Sequence, residues 1–324
     1  MNLVETYTQV KASTTPSAVP YATKNSEEKK YKDPLLKWPA KGLAYSNEIG
    51  AAISPLSPKL GTALWAPALL YFGADIYDKY KNDQTSYDPS TKRALKQTIF
   101  QSLASVILPT AAVHVGQKAI SYLDKYTQKG LTTQAKEDAI EFCHNHMSKN
   151  SLHTFENNIS TYKKNLHESL ETYMSETLGE YKSKGIISKI FNFCFSSKHP
   201  ESMALSNTEK LNSFIDDHVD SMFKMRKELM QGKQPKELSA KLFKKFNDLQ
   251  PGYLKEFGKE KYLGKAAKSI LKDHNVAEIF KNKTFKTIGG FISLGLMIKP
   301  IDLFVEHVII KKAVEPHLEK ISFQ

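Results

Sequence analysis

The chain has 324 residues and a mass of 36.6 kDa, with 46 Lys and Arg against 34 Asp and Glu for a formal charge of +12. A mean hydropathy of -0.43 excludes a polytopic transporter, 15 Gly and 14 Pro exclude a collagen-like chain, and 2 Cys exclude a disulfide framework. The basic excess points to an anionic partner, and because only Arg93 and Arg226 are arginines it favours an acidic membrane surface over sequence-specific nucleic acid.

Residues 1 to 40 read as a disordered tail: Ser, Thr, Pro and Lys dominate, and Glu27-Glu28-Lys29-Lys30-Tyr31-Lys32 has no apolar face. The N-terminus lacks the basic and apolar regions of a secretory signal, carries Glu5 and no Arg, and so is also a poor mitochondrial presequence. A first apolar block follows, charge-free from Leu60 to Gly73, with Lys59 before it and Asp75 after. That stretch alone is short of the roughly 20 residues a bilayer needs, but it can span with Lys59 snorkelling at one interface, over 59–76. A polar loop from Asp78 to Lys96 carries turn signals at Asn82-Asp83 and Asp88-Pro89-Ser90, with Ser90 a candidate N-cap.

The strongest signal is Gln97 to Gln117, 21 residues with no formal charge and only His114 able to acquire one. Pro109 inside it would cost a soluble helix about 3 kcal/mol, whereas in a span neighbouring helices can satisfy the freed carbonyl. Ala112 and Gly116 form a small-xxx-small pair that admits a partner helix.

From 118 to about 286 the character changes, with 29 Lys and Arg against 21 Asp and Glu. Phe155, Ile159, Tyr162, Leu166, Leu170, Met174 and Leu178 recur at helical spacing, as do Leu211, Phe214, Ile215, Val219, Met222, Met225 and Leu229. Leu238, Leu242, Phe243 and Phe246 repeat the pattern, so residues 118–284 read as an inserted, lysine-rich helical bundle. The short apolar run Gly185 to Phe195 is too short to span; it either dips into an interface or caps the bundle. The third apolar block, Thr287 to Ile310, breaks at Lys299-Pro300 and carries Asp302, Glu306 and His307. It reads either as a weak span over 286–309 or as two packed amphipathic helices, and Gly289 and Ser293 give a second small-xxx-small face.

Candidate chemistry is sparse. Cys143-His144-Asn145-His146 with His153 invites zinc, but a second ligand pair is missing and a polar turn between helices is the simpler reading. Asp216-Asp217-His218-Val219-Asp220 lacks the glycine and terminal Glu of a calcium loop and reads as a solvated face. Lys241, Lys244 and Lys245, interleaved with Phe243 and Phe246, fit a core face with lysines outward better than a membrane-surface helix. No cofactor, metal or catalytic residue is expected, and no enzyme motif occurs. Asp75 and Asp302 are sharper candidates, since an acid at membrane depth is a functional suspect; the alternative is that each marks a helix end near water.

Three separated stretches carry a resemblance. They are Gly42-Leu43-Ala44-Tyr45-Ser46-Asn47-Glu48-Ile49-Gly50 with Gly73-Ala74-Asp75-Ile76-Tyr77-Asp78-Lys79; Phe100-Gln101-Ser102-Leu103-Ala104-Ser105-Val106-Ile107-Leu108-Pro109; and Ile298-Lys299-Pro300-Ile301-Asp302-Leu303-Phe304-Val305. In order and content these resemble the mitochondrial fission process protein family. The likeness covers about residues 41–117 and 284–318 and leaves about 165 lysine-rich residues between the second and third blocks that the family lacks. It implies a non-enzymatic integral protein of an inner membrane, one that shapes that membrane during division, and it raises the third block to a span.

The expectation is therefore all-α: 41–117 holding two membrane helices, 118–284 an inserted basic helical domain, and 285–324 a third membrane helix and tail. The polar residues expected to set helix contacts and kinks are Asn47, Glu48, Asp75, Asp78, Gln101, Ser105, Pro109, Pro300 and Asp302. The expected partners are a lipid bilayer, including anionic lipid, and unidentified proteins; a homo-oligomer fits, and nucleic acid does not. The location implied is a mitochondrial inner membrane, by resemblance, or a bacterial one. Orientation is balanced, with Lys29, Lys30, Lys32, Lys37 and Lys41 before the first block and Lys79, Lys81, Lys92, Arg93 and Lys96 after it. The alternatives are a soluble α-helical interaction protein with a buried hairpin, and a pore-forming helical protein.

Overall fold

The apolar and amphipathic periodicities all resolve into helix: no strand occurs among the described residues, which in this computed structural model are 35, 37, 39–81, 89–127, 130–150, 158–196 and 199–321. Residues 1–34, 36 and 38 of the expected tail, the turn signals at Asn82, Asp83 and Asp88, Phe155 and the zinc candidate His153 lie outside them, while Ala40, the last residue of that tail, already starts the first helix. In chain order the helices are α1 (Ala40–Leu43), α2 (Ser46–Ile53), α3 (Pro58–Ala63), α4 (Trp65–Lys81), α5 (Ser90–Phe100), a wider-pitched π segment π1 (Gln101–Ile107) and α6 (Leu108–Thr127). They continue as α7 (Thr133–Lys149), α8 (Ile159–Ser183), α9 (Ile186–Phe195), α10 (Glu201–Ala204), α11 (Thr208–Met230) and α12 (Ala240–Phe257). The 46-residue α13 (Lys259–Phe304), the segment π2 (Val305–Val314) and α14 (Glu315–Leu318) complete them.

Two units divide the chain: one takes the sequence up to Gly50, Gly61–Thr110 and Leu294 onward; the other takes Ala51–Leu60 and Ala111–Ser293. The second holds the lysine-rich bundle. Its core is the set of stripes expected from spacing: Tyr162, Leu166 and Leu170 on α8, Leu211, Ile215, Val219, Met222, Met225 and Leu229 on α11, and Leu238 and Phe246 around the start of α12. Leu242 and Phe243 pack partly buried against it, which leaves the lysines of that helix outward. Side-chain caps start four of these helices: Thr132 accepts from Ala135 N at 3.1 Å, Asn158 from Thr161 N at 3.2 Å, Asn207 from Lys210 N at 2.9 Å and Ser239 from Leu242 N at 3.3 Å. Each satisfies an amide that the first turn otherwise leaves orphaned.

In the first unit α4 and α5 form a hairpin, and Arg93 stitches its connected end by donating to the terminal carbonyls of α4, Nε to Lys79 O at 3.0 Å and Nη2 to Tyr80 O at 3.2 Å. A cation on helix C-terminal carbonyls also complements the helix dipole. Lys96 pairs with Glu315 at 2.8 Å.

Several expectations need correction. The first apolar block is not one helix: α3 ends at Ala63, and α4 begins at Trp65. The loop from Asp78 to Lys96 is shorter than expected, since helix runs to Lys81 and resumes at Ser90. Ser90 is not the N-cap; Pro89, with φ -56° and ψ 150°, holds that place without a side-chain bond. Cys143 to His146 form no turn but lie within α7, because Ala135, Ala139, Cys143 and Met147 make a buried stripe at four-residue spacing. The Asp216 cluster is not simply solvated: Asp216 takes His167 at 3.0 Å, Asp220 takes Lys163 at 2.8 Å, and His218 is pushed by burial down to about 4. The third block does not break at Pro300, which lies exposed inside the continuous α13.

Candidate functional site

The expected polar residues are nearly all inside. Asn47, Glu48, Asp75, Asp78, Gln101 and Ser105 are buried, while apolar neighbours on the same helices, among them Leu69, Leu70 and Ile107, face outward. On α4 the inward stripe is Ala68, Tyr71, Phe72, Asp75 and Asp78, so the two carboxylates continue an apolar face at helical spacing.

Asp75 Oδ2 accepts from Gln97 Nε2 at 2.5 Å and also from Gln101 Nε2. Gln101 Oε1 accepts from Ser105 Oγ at 2.7 Å, and Ser105 O accepts from Asn47 Nδ2 at 2.6 Å. Gln97, Gln101 and Ser105 stand four residues apart and form one stripe down α5 and π1.

Pro109 explains why Asn47 is needed. In an α-helical register the amide of residue 109 would donate to Ser105 O, and proline has no N–H. The chain widens here to an i→i−5 pattern, with Leu108 N donating to Leu103 O, and the Asn47 amide donates to the Ser105 carbonyl. The carbonyl four residues before Pro109 thus has a side-chain donor 58 positions earlier in the chain. Asp302 is half-buried on α13 and Pro300 is exposed. Gln97 is the member that sequence reading missed; its signal was the four-residue spacing from Gln101 and Ser105.

The second unit holds a close helix crossing. A Cβ on Gly116 would lie 2.6 Å from Gly289 O and would strike Ser293, and one on Gly289 would lie 2.5 Å from Ile120 Cγ1. Ser293 Oγ donates to Ala112 O at 2.7 Å. The two small-xxx-small pairs noted in sequence, Ala112/Gly116 and Gly289/Ser293, meet each other. Gln117 Nε2 reaches the end of α2, at Ala51 O and Ala52 O, 3.2 Å and 3.3 Å away.

Beside this crossing Lys286 Nζ meets Glu137 Oε2 at 2.6 Å and Gln134 Oε1 at 2.7 Å, with both charged side chains buried. Burial pushes the Glu137 carboxyl up against the lowering effect of Lys286. Its neighbour Asp138 is pushed by burial up to about 6, while hydrogen bonds from Ser202 and Gln134 oppose the shift. The two described cysteines are free; Cys143 is buried in the core and its thiol is pushed up to about 12 by burial, which keeps it an inert apolar side chain. His146 Nδ1 lies 3.0 Å from Tyr162 Oη, and among the described residues no three His, Cys, Asp or Glu side chains gather as a metal site.

By length and composition two helical runs can cross a membrane, Ser90–Tyr126 and Lys259–Leu318, and their most apolar windows are only 44% and 28% buried by protein. A core helix of a water-soluble protein would be mostly buried. Comparison with family models, with curated proteins and with solved structures yields no match to this chain.

Proposed function

We propose that this chain is a non-enzymatic α-helical membrane protein that organises or bends the bilayer holding it, as the resemblance to mitochondrial fission process proteins implies, with an inner membrane as its location. One observation carries the reading: the polarity of the apolar helices is inverted. Leu70 is 76% exposed, Leu296 70% and Leu69 56%, whereas Asn47 is fully buried and Asp75 is 4% exposed. Fully burying one Leu is worth about 1.5–3 kcal/mol, so such a surface is costly in water and costs nothing in hydrocarbon. Asn47, Asp75, Gln97, Gln101 and Ser105 are joined by hydrogen bonds inside instead of facing lipid.

Two spans are supported by length and hydropathy, Ser90–Tyr126 and Lys259–Leu318. The divided first block is not offered as a straight span. The basic bundle favours an anionic leaflet.

Carbonate extraction of membranes containing the full chain tests the reading. The protein is expected in the pellet; release to the supernatant overturns it in favour of a soluble helical interaction protein. Membrane morphology with Asp302→Ala then addresses shaping: altered morphology with retained insertion supports the assigned role, and unchanged insertion and morphology remove Asp302 from it.

A further inference from the structure

A cavity of about 480 Å3 lies within the second unit, where α6 leaves its charge-free stretch. Lys118, one residue past Gln117, lines it, and so do Ser121 and Lys125, which follow at three- and four-residue spacing on the same face. Lys210, from α11, lines it as well. Lys286 also reaches the cavity, but Glu137 neutralises it. The one carboxylate in the lining, Glu201, is held 3.2 Å from His199 Nδ1.

No salt bridge joins Lys118, Lys125 or Lys210 to a carboxylate among the described residues, and Glu201 attracts Lys118 without pairing with it. The Lys118 ammonium donates to Phe193 O and sits 3.5 Å from the Phe193 ring centroid. Beside the cavity runs α9, tied to α6 by His114 Nδ1 and Cys194 O at 2.8 Å. The outer face of α9 is bare and apolar: Ile186, Ile187, Ile190 and Phe191 are 59% to 84% exposed.

Cations facing a roomy cavity select a tetrahedral oxyanion, and an apolar helix alongside suits acyl chains at the depth where a span meets water. We propose that this cavity binds the phosphate of a glycerol phosphate group, supplied by an anionic glycerophospholipid or by the free ester, with Lys118, Lys125 and Lys210 holding the anion. The volume falls in the usual range of small-molecule sites, about 300–1,000 Å3. The lipid source rests on the membrane reading; the anion site itself does not.

The full chain in neutral detergent, stripped of lipid, is given phosphatidylglycerol or phosphatidylcholine and analysed by native mass spectrometry. A parallel calorimetric titration uses sn-glycerol 3-phosphate. The expected result is retention of phosphatidylglycerol over phosphatidylcholine. That preference is expected to fall about tenfold in Lys125→Gln/Lys210→Gln and in Lys118→Met, and to persist in Lys241→Gln/Lys244→Gln, which loses the same charge elsewhere. Circular dichroism confirms that each variant is folded. Equal loss in both double variants, or no preference for either phosphate ligand, overturns the site. Binding of the free ester without phosphatidylglycerol supports the site with a soluble ligand. A chain that resists carbonate but binds no phosphate defeats the site and leaves the membrane reading intact; a chain released by carbonate that still binds glycerol phosphate does the reverse.

Discussion

The bundle and the apolar helices obey opposite rules for what goes inside. In the bundle Leu166, Leu170, Leu211 and Ile215 are fully buried, and most lysines of α11 and α12 point outward. Among the apolar helices Asn47, Asp75, Gln101 and Ser105 are inside, and Leu69, Leu70 and Leu296 outside. One chain therefore contains two solutions to one problem, and on the membrane reading proposed above what differs is the surrounding medium. Water drives leucine in and leaves lysine out; hydrocarbon takes leucine at no cost and obliges asparagine to find a partner.

The sharpest way to break this comparison is to truncate a leucine in each region. Leu166→Ala removes a fully buried side chain from the bundle core and is expected to cost about 2–5 kcal/mol, read as a lower unfolding midpoint of the purified protein in detergent. Leu70→Ser on the outward face of α4 is expected to stay within about 0.5 kcal/mol under the same conditions and to lower aggregation when detergent is diluted. Equal costs at the two positions would mean that protein, not lipid, covers Leu70, and the contrast would disappear.

A second effect, about 3 kcal/mol, sharpens the bundle side. Burial holds the Asp138 carboxyl up near 6, above its ordinary value of 3.8. A carboxyl that binds its proton more tightly when folded contributes no penalty below pH about 4; its cost then accrues as pH rises through 6 and is complete above it. Asp138→Asn, which can keep the Ser202 and Gln134 contacts, is therefore expected to unfold at higher temperature than the parent at pH 8 and at the same temperature near pH 4. His218, pushed down to about 4, works with the opposite sign, losing stability as pH falls from 6.5 toward 4; the difference between parent and variant cancels it.

How much of this was legible in the sequence follows the same division. The bundle stripes were readable because a water-facing helix must separate apolar from charged residues at period 3.6, as Leu211 to Leu229 do. The paired small residues were readable too, since only Gly116 and Gly289 let two backbones approach so closely. In the apolar helices no such periodicity exists to be read: outward-facing and inward-facing positions are both largely apolar, so the helix break between Ala63 and Trp65 and the continuity of α13 through Pro300 left no mark on hydropathy. Polar residues were the only legible landmarks there, and Asn47, Asp75, Gln101 and Ser105 do come together. Glu137 and Lys286, 149 residues apart, were hidden among many surface charges, and only the folded chain reveals them as a buried pair.

The smallest expected effect bears on the proline and its distant partner. If Asn47 exists to satisfy the carbonyl that Pro109 orphans, removing the proline should make the asparagine dispensable. Asn47→Ala alone is expected to cost roughly 0.5–1 kcal/mol, within the range of interhelical polar contacts in membranes. In the Pro109→Ala background, where an amide at 109 can donate to Ser105 O, the same change is expected to cost measurably less. The two single variants and the double variant, compared by unfolding in one detergent, measure that coupling directly. Strict additivity would show that Asn47 and Pro109 act separately, and that polarity inside the apolar helices is a matter of burial alone and not of one carbonyl needing one donor.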